Sequence, residues 1–150
     1  MNSSLAAYTV RKAADKDRDF LYSLHRVTMK PYVDLLWGWD EDWQEQYFTQ
    51  HFDPQILQII QVKDRDIGVI SVEYGDQEIF LRIIEILPSF QNRGIGTSII
   101  KNIMKEALST HKSIILQVLK KNPRARTLYE RLEFSIYEET ETHYKMRYLG

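Results

Sequence analysis

The stretch Ser89–Thr97, SFQNRGIGT, decides the fold. It follows the apolar run EIFLRIIEIL (78–87) and Pro88. After it, Ile99, Ile100, Ile103, Met104, Ala107 and Leu108 recur on one face of a helix. Two of the chain's six glycines, Gly94 and Gly96, fall inside the stretch. A strand therefore leads through a short loop into a helix beginning near Gly94. The first N–H groups of a helix have no internal partner and carry partial positive charge. Glycine lets a ligand approach them without a Cβ in the way. The loop is thus either a tight turn or an anion cradle. A dinucleotide loop would need a third glycine where Ile99 stands and a place after the first strand of a βαβ unit, and a Walker loop would need a lysine after Gly96. Neither pattern is met.

Outward from the loop, the N-terminal side begins with AAYTVRKA (6–13), a strand. Asp15 or Asp17 is placed to cap a helix with Phe20, Leu21, Leu24 and Thr28 on one face, and Pro31 is expected to end it. Asp40 caps a second helix, with Glu41 and Asp42 in its first turn. There Trp43, Tyr47, Phe48, His51 and Phe52 share helical spacing, read chiefly as packing against the sheet. QILQIIQV (55–62), IGVISVEY (67–74) and residues 78–87 are β-rich and separated by the turn-like KDRD and GDQ, which suggests three adjacent antiparallel strands.

On the C-terminal side, SIILQVL (113–119) reads as a strand buried on both faces. NPRARTLYERLEF (122–134) reads as a helix capped by Asn122, with Pro123 at its first position and Ala125, Leu128 and Leu132 as its buried stripe. Tyr129 lies beside that stripe, able to pack its ring and present its hydroxyl. FSIYEE and HYKMRYL close the chain as a hairpin. The order is β-α-α-β-β-β-α-β-α-β-β, a mixed α/β domain around one sheet, with residues 1–150 expected to form a single domain.

The bulk properties exclude several classes of function. A formal net charge of −1 gives no electrostatic reason to expect nucleic acid or an anionic membrane as partner. The absence of cysteine removes disulfides, thiolate nucleophiles and Cys-ligated metals. His25, His51, His111 and His143 are too scattered to suggest a metal site. No signal peptide or apolar run long enough to span a bilayer is readable, so a cytoplasmic protein is the expectation.

Two segments carry a family resemblance. EILPSFQNRGIGTSIIKNIMKEA (85–107) is similar to a strand, a V-x-P-like end and a Q/R-x-x-G-x-G/A loop. LQVLKKNPRARTLYERLEF (116–134) is similar to a V-x-x-x-N-x-x-A-x-x-L-Y-x-x-x-G-F segment. Together they resemble the GNAT superfamily of acyl-CoA-dependent N-acetyltransferases, whose order of elements residues 56–149 follow. The resemblance implies a mostly antiparallel sheet of about seven strands flanked by about four helices, splayed between the fourth and fifth strands.

It also implies roles for residues. Gln91, Asn92, Arg93, Gly94, Ile95, Gly96 and Thr97 would wrap the pyrophosphate of acetyl-CoA, the cosubstrate, with no metal involved. Ile86 and Leu87 would lend backbone groups to the pantetheine arm, and a backbone N–H there would meet the acetyl oxyanion. Asn122 would touch the same arm, and Tyr129 would protonate the departing thiolate. A neutral amine attacks the thioester directly, so no protein nucleophile is needed. An ammonium must first lose a proton, to Glu85, to Glu73 or to water. The helical pair before residue 55 is where such proteins bind the acceptor, a small-molecule or peptide amine. Tyr32, Trp37 and Trp39, read as lying outside the helical pattern, are the candidate aromatic walls for a cation.

Gln117 stands where some ribosomal-protein N-terminal acetyltransferases carry glutamate, which weighs against protein N-termini as acceptors. Glu133 stands where the family has glycine, read as a local change in helix ending. A monomer or a homodimer is compatible with the sequence. The alternative to an enzyme is a non-catalytic acyl-CoA-binding or sensor module of the same fold.

Overall fold

A computed structural model describes residues 7–150. Seven strands form one open sheet in the order β1-β2-β3-β4-β5-β7-β6. They are β1 (Thr9–Lys12), β2 (Gln58–Val62), β3 (Arg65–Tyr74), β4 (Glu78–Ile86), β5 (Ser113–Leu119), β6 (Ser135–Glu139) and β7 (His143–Tyr148). Four α-helices accompany them: α1 (Arg18–Leu36), α2 (Glu41–His51), α3 (Ile95–Ser109) and α4 (Pro123–Arg131). The element order is the one read from the sequence.

All the neighbouring pairs but one are antiparallel or joined by a tight turn. The exception is β4 with β5, which run parallel. Their ladder covers only Glu78–Ser113, Ile79–Ile114 and Phe80–Ile115, although β4 continues to Ile86 and β5 to Leu119. At the hairpin between β2 and β3, Lys63 and Asp64 both take positive φ (51° and 66°), the geometry of a type I′ turn that matches the twist of the flanking strands.

The chain divides into two compact units. The first holds the described residues up to Ser71 together with Ile83–Ile99. Its core is Ala13, Leu21, Leu24, Leu57, Ile59 and Val69, with Phe20, Phe48, Phe52, Ile83 and Leu87 packed on it. Arg11 on β1 ties this unit together through a bidentate pair to the buried Asp17 (2.8 and 2.9 Å) and a bond to Asp66 (2.9 Å). Asp17 was one of two expected helix caps. Its carboxylate instead reaches back to the Ala14 N–H (2.9 Å) and Arg11, so it fixes the entry to α1 without capping its first turn.

The second unit is Val72–Arg82 with Ile100–Gly150. Ile114, Leu116, Val118, Tyr129, Phe134 and Met146 are among its buried residues. β5 is not buried on both faces, since Gln117 is exposed. On α4 the half-buried Ala125, Leu128 and Leu132 flank a more deeply buried Tyr129. Leu108, at the rim of the α3 stripe, is exposed.

Two further expectations change. Pro31 lies inside α1, which runs on to Leu36. A proline there leaves one carbonyl, that of Val27, without its donor. Val27 is exposed, so water can serve that carbonyl, and the Lys30–Asp34 ion pair (2.7 Å) bridges the proline. In consequence Tyr32 belongs to α1 and Trp37 is its terminal cap. On α2, Trp43 and Tyr47 do not pack against the sheet. Trp43 is 56% exposed and stacks on Tyr47, which stacks on His51 (centroids 5.0 and 4.0 Å apart). Only Phe48 and Phe52 turn inward.

Candidate active site

The loop after β4 begins with Pro88–Phe90 in a 3-10 turn and enters α3 at Ile95. Asn92 (φ 63°) and Gly94 (φ 81°) are left-handed, with Arg93 between them outside that region. Alternation of this kind turns successive N–H groups to one concave side, a nest for anions. The Ser98 N–H bonds to the Gly94 carbonyl (2.9 Å), so Gly94 caps α3. Ile95, Gly96 and Thr97 are then the first helical residues, whose N–H groups have no acceptor within the helix.

The two glycines differ. Gly94 needs its freedom, because a side chain at φ 81° is strained. Gly96 does not: it is not left-handed, and a Cβ there would meet only Ile86 Cδ1, at an ordinary 3.6 Å. The turn accounts for the first glycine and leaves the second unexplained by folding. A cradle that must admit a phosphate accounts for both. Positive charge gathers beside it, since Arg93 and Arg65 both lie over the Phe90 ring (5.1 and 5.3 Å).

The end of β4 is held from two sides. A Cβ on Gly68 would come within 2.5 Å of the Glu85 carbonyl, so β3 can approach β4 this closely only because residue 68 is glycine. The Leu87 N–H donates to the Ile67 carbonyl (2.8 Å) and is therefore engaged with β3. Gln91 Nε2 donates to the Ile86 carbonyl (2.8 Å), which ties the loop to the strand that feeds it. A carbonyl has a second lone pair, so Ile86 keeps accepting capacity.

Among the candidate bases, Glu85 and Glu73 stand in different surroundings. The Glu85 side chain is 13% exposed and meets His25 Nδ1 of α1 at 3.0 Å. Glu73 is mostly exposed and pairs with Arg82. His25 also neighbours the rings of Trp39 (6.2 Å) and Phe48 (5.9 Å). Trp39 is seated by the Asp34 carboxylate, which accepts its backbone N–H (2.8 Å), and by Glu41, which accepts from its ring Nε1 (3.3 Å). Glu41 further accepts from the Tyr22 hydroxyl and from Arg26 Nε (2.6 Å), bonds that hold its carboxyl below the usual range. Trp39 is thus gathered with His25 and Glu85, while Trp37 is largely exposed at the end of α1 and Tyr32 half-buried on it.

In the second unit, Asn122 caps α4 by accepting the Ala125 N–H at Oδ1 (3.1 Å), leaving its amide NH₂ to donate elsewhere. Tyr129 is 7% exposed, and burial pushes its phenol up to about 12. It therefore keeps its proton at neutral pH. Its ring packs on Phe134 (5.7 Å), and its hydroxyl has no hydrogen-bond partner among the described residues. The helix then ends as a Schellman motif: Phe134 N–H to Tyr129 O and Glu133 N–H to Glu130 O, each 3.0 Å. Glu133 occupies the left-handed position (φ 72°). The helix ending is thus unchanged by the substitution; glutamate simply adopts the glycine conformation.

A sequence profile of the Acetyltransferase (GNAT) family matches residues 19–134. The chain belongs to that family. Acetyl transfer from acetyl-CoA is accordingly its class of activity. Curated protein sequences give no match. Among solved structures, a PaiA N-acetyltransferase from Thermoplasma acidophilum in complex with coenzyme A is similar at 14% identity and a TM-score of 0.76, covering 97% of this chain and 100% of that one. Arabidopsis thaliana Naa50 in complex with the bisubstrate analogue CoA-Ac-MVNAL shares 14% identity at 0.64, covering 95% and 99%. The ribosomal-protein-S18-alanine N-acetyltransferase of Escherichia coli shares 17% at 0.65, covering 94% and 92%. These likenesses establish the GNAT fold, including the single parallel pair of its sheet.

The sequence brought Gly94, Gly96, Glu85, Trp39 and Tyr129 forward as site residues. It did not bring forward His25, Arg65 or Gly68. An isolated glycine inside a strand run was a readable signal of close backbone approach at residue 68. His25 meets Glu85 across sixty residues of chain, and no local pattern announces that pairing.

Proposed function

We propose that this chain acetylates a primary amine, on a small molecule or a peptide, by direct attack on acetyl-CoA, and that residues 1–150 act as one catalytic domain. The observation that carries the reading is Gly96, a glycine without a conformational or steric need, at the mouth of a helix. Bound acetyl-CoA supplies an activated acyl group as a thioester. The N–H groups from Arg93 to Thr97 hold its pyrophosphate, with Gln91 and Asn92 shaping the loop and Arg93 adding charge. Ile86 pairs with the pantetheine arm as an added strand would, and the Asn122 amide donates to the same arm. Leu87 serves by anchoring this edge to β3.

Glu85 takes a proton from the acceptor ammonium and frees its lone pair. The nitrogen–carbon bond then forms as the carbon–sulfur bond breaks. The second nitrogen proton leaves to solvent, Tyr129 gives its proton to the thiolate, and solvent restores it. Burial without a hydrogen-bond partner supports this role, because it keeps the phenol protonated and its O–H uncommitted. Trp39, beside His25, supplies an aromatic wall for the incoming cation, with Tyr32 and Trp37 further along the same segment.

The test is thiol release from acetyl-CoA in the presence of spermidine, tobramycin, L-lysine or the peptide MVNAL. Release with any of them supports the proposal. Tight acetyl-CoA binding with no release from any of them would favour a binding module over an enzyme.

A further inference from the structure

We infer that His25 is the positioning residue for Glu85: its Nδ1 holds one carboxylate oxygen so that the other is left to take the acceptor's proton. The inference rests on the proposed role of Glu85 as base, and it assigns a task to a residue on α1 that the reaction does not otherwise require.

His25 Nδ1 lies 3.0 Å from Glu85 Oε2, and no other hydrogen bond or ion pair engages the Glu85 carboxylate among the described residues. One oxygen is therefore committed and the other open. The backbone of Glu85 is fixed as well, pressed against Gly68 at a distance no Cβ could share. A carboxylate on a fixed strand still has rotatable side-chain bonds, and a single directional donor removes that freedom. The imidazole is itself oriented, with Trp39 and Phe48 ranged about it.

The other carboxylates nearby are already engaged. Glu41 receives bonds from Tyr22, Arg26 and Trp39. Asp34 receives Lys30 and the Trp39 N–H. Both serve architecture, and Glu85 alone in this cluster combines burial with an open oxygen. In the proposed step the imidazole keeps the Nδ1 proton and donates it to Oε2, Glu85 gains the ammonium proton on its other oxygen, and water later removes it. His25 exchanges nothing and sets direction only.

The experiment compares His25→Ala, His25→Asn and Glu85→Gln in thiol release with the same four amines, alongside acetyl-CoA affinity and thermal unfolding. Asparagine places an N–H donor close to the position of Nδ1. His25→Ala should lower kcat about tenfold or more, the order found when an orienting partner is lost, with KM for acetyl-CoA unchanged. His25→Asn should restore most of that rate. Wild-type kcat in His25→Ala would overturn the inference, and so would equal losses in both folded His25 variants. Glu85→Gln separates the two layers: if it turns over at the wild-type rate, the base assignment itself has failed. Should the His25 variants not fold, ¹⁵N spectra of the wild-type imidazole decide. The inference requires a protonated Nδ1 whose signal moves in Glu85→Ala, and an unmoved signal would contradict it.

Discussion

Gly96 and Glu133 are mirror images of one another. At residue 96 a glycine stands where the backbone would accept any residue that fits a helix. At residue 133 the backbone takes the left-handed conformation that favours glycine, and a glutamate stands there instead. The second case shows that this chain tolerates a conformational cost of about 1 kcal/mol where nothing but a helix ending is at stake. The first shows the reverse, a side chain omitted although folding gains nothing by its omission. On the proposed function, the difference separates residues chosen for the chain from residues chosen for what the chain binds.

The largest effect expected from this contrast is that of Gly96→Asp. A carboxylate in the cradle should weaken acetyl-CoA binding on the order of a thousandfold, about 4 kcal/mol, by bulk and by like charge near phosphate. Calorimetric titration measures the affinity, and a thermal melt close to wild type shows that the fold is kept. Affinity within a fewfold of wild type would remove the pyrophosphate from this loop.

Tyr129→Phe comes next and applies the same logic to a side chain. Its hydroxyl bonds to nothing in the protein among the described residues, so its loss should leave stability unchanged or slightly raised. Turnover should fall about a hundredfold if the hydroxyl is the acid, with acetyl-CoA affinity preserved. Unchanged turnover would take Tyr129 out of the reaction.

Asp17→Asn provides a purely structural contrast within the first unit. The Arg11 guanidinium holds the Asp17 carboxyl below its ordinary value, with help from the Ala14 N–H. A depressed folded-state pKa gives stability that is fully present above the unfolded value, roughly 3.9, and is lost as pH falls through the folded one. Wild type should therefore lose this contribution below about pH 4. Asp17→Asn should be less stable by about 2 kcal/mol at pH 7 and show a shallower acid limb. Denaturant titrations from pH 2 to pH 7 check both.

Smallest is Glu133→Gly, expected to stabilise the chain by about 1 kcal/mol, with turnover and acetyl-CoA affinity unchanged. A loss of stability would mean that the glutamate side chain does more than occupy a turn.

The parts of the fold legible in the sequence are those set by local chemistry. Asp40 and Asn122 cap the helices they precede, through the N–H groups of Trp43 and Ala125. The β2–β3 and β3–β4 turns fall where KDRD and GDQ announced them. What was not legible depends on distant partners or on solvent. Pro31 reads as a stop, yet it lies on the exposed side of α1, where water can serve the freed carbonyl, and the helix runs on to Leu36. The periodicity of α2 reads as core, but helical spacing cannot tell an inward stripe from a Trp43–Tyr47–His51 stack facing water. The entry of β7 between β5 and β6 is decided by long-range pairing. At the site, the glycines and Tyr129 were visible as a pattern, whereas the His25–Glu85 pair arises only from the tertiary fold.

The most direct test of the account is the acetyl-CoA dissociation constant of Gly96→Ala. A methyl group there has room within the protein, 3.6 Å from its nearest neighbour, and alanine suits a helix better than glycine does. The variant should melt at or above the wild-type temperature while binding acetyl-CoA at least about tenfold more weakly, a loss near 1.4 kcal/mol. Wild-type affinity in a fully folded Gly96→Ala would contradict the claim that this glycine is kept for a ligand.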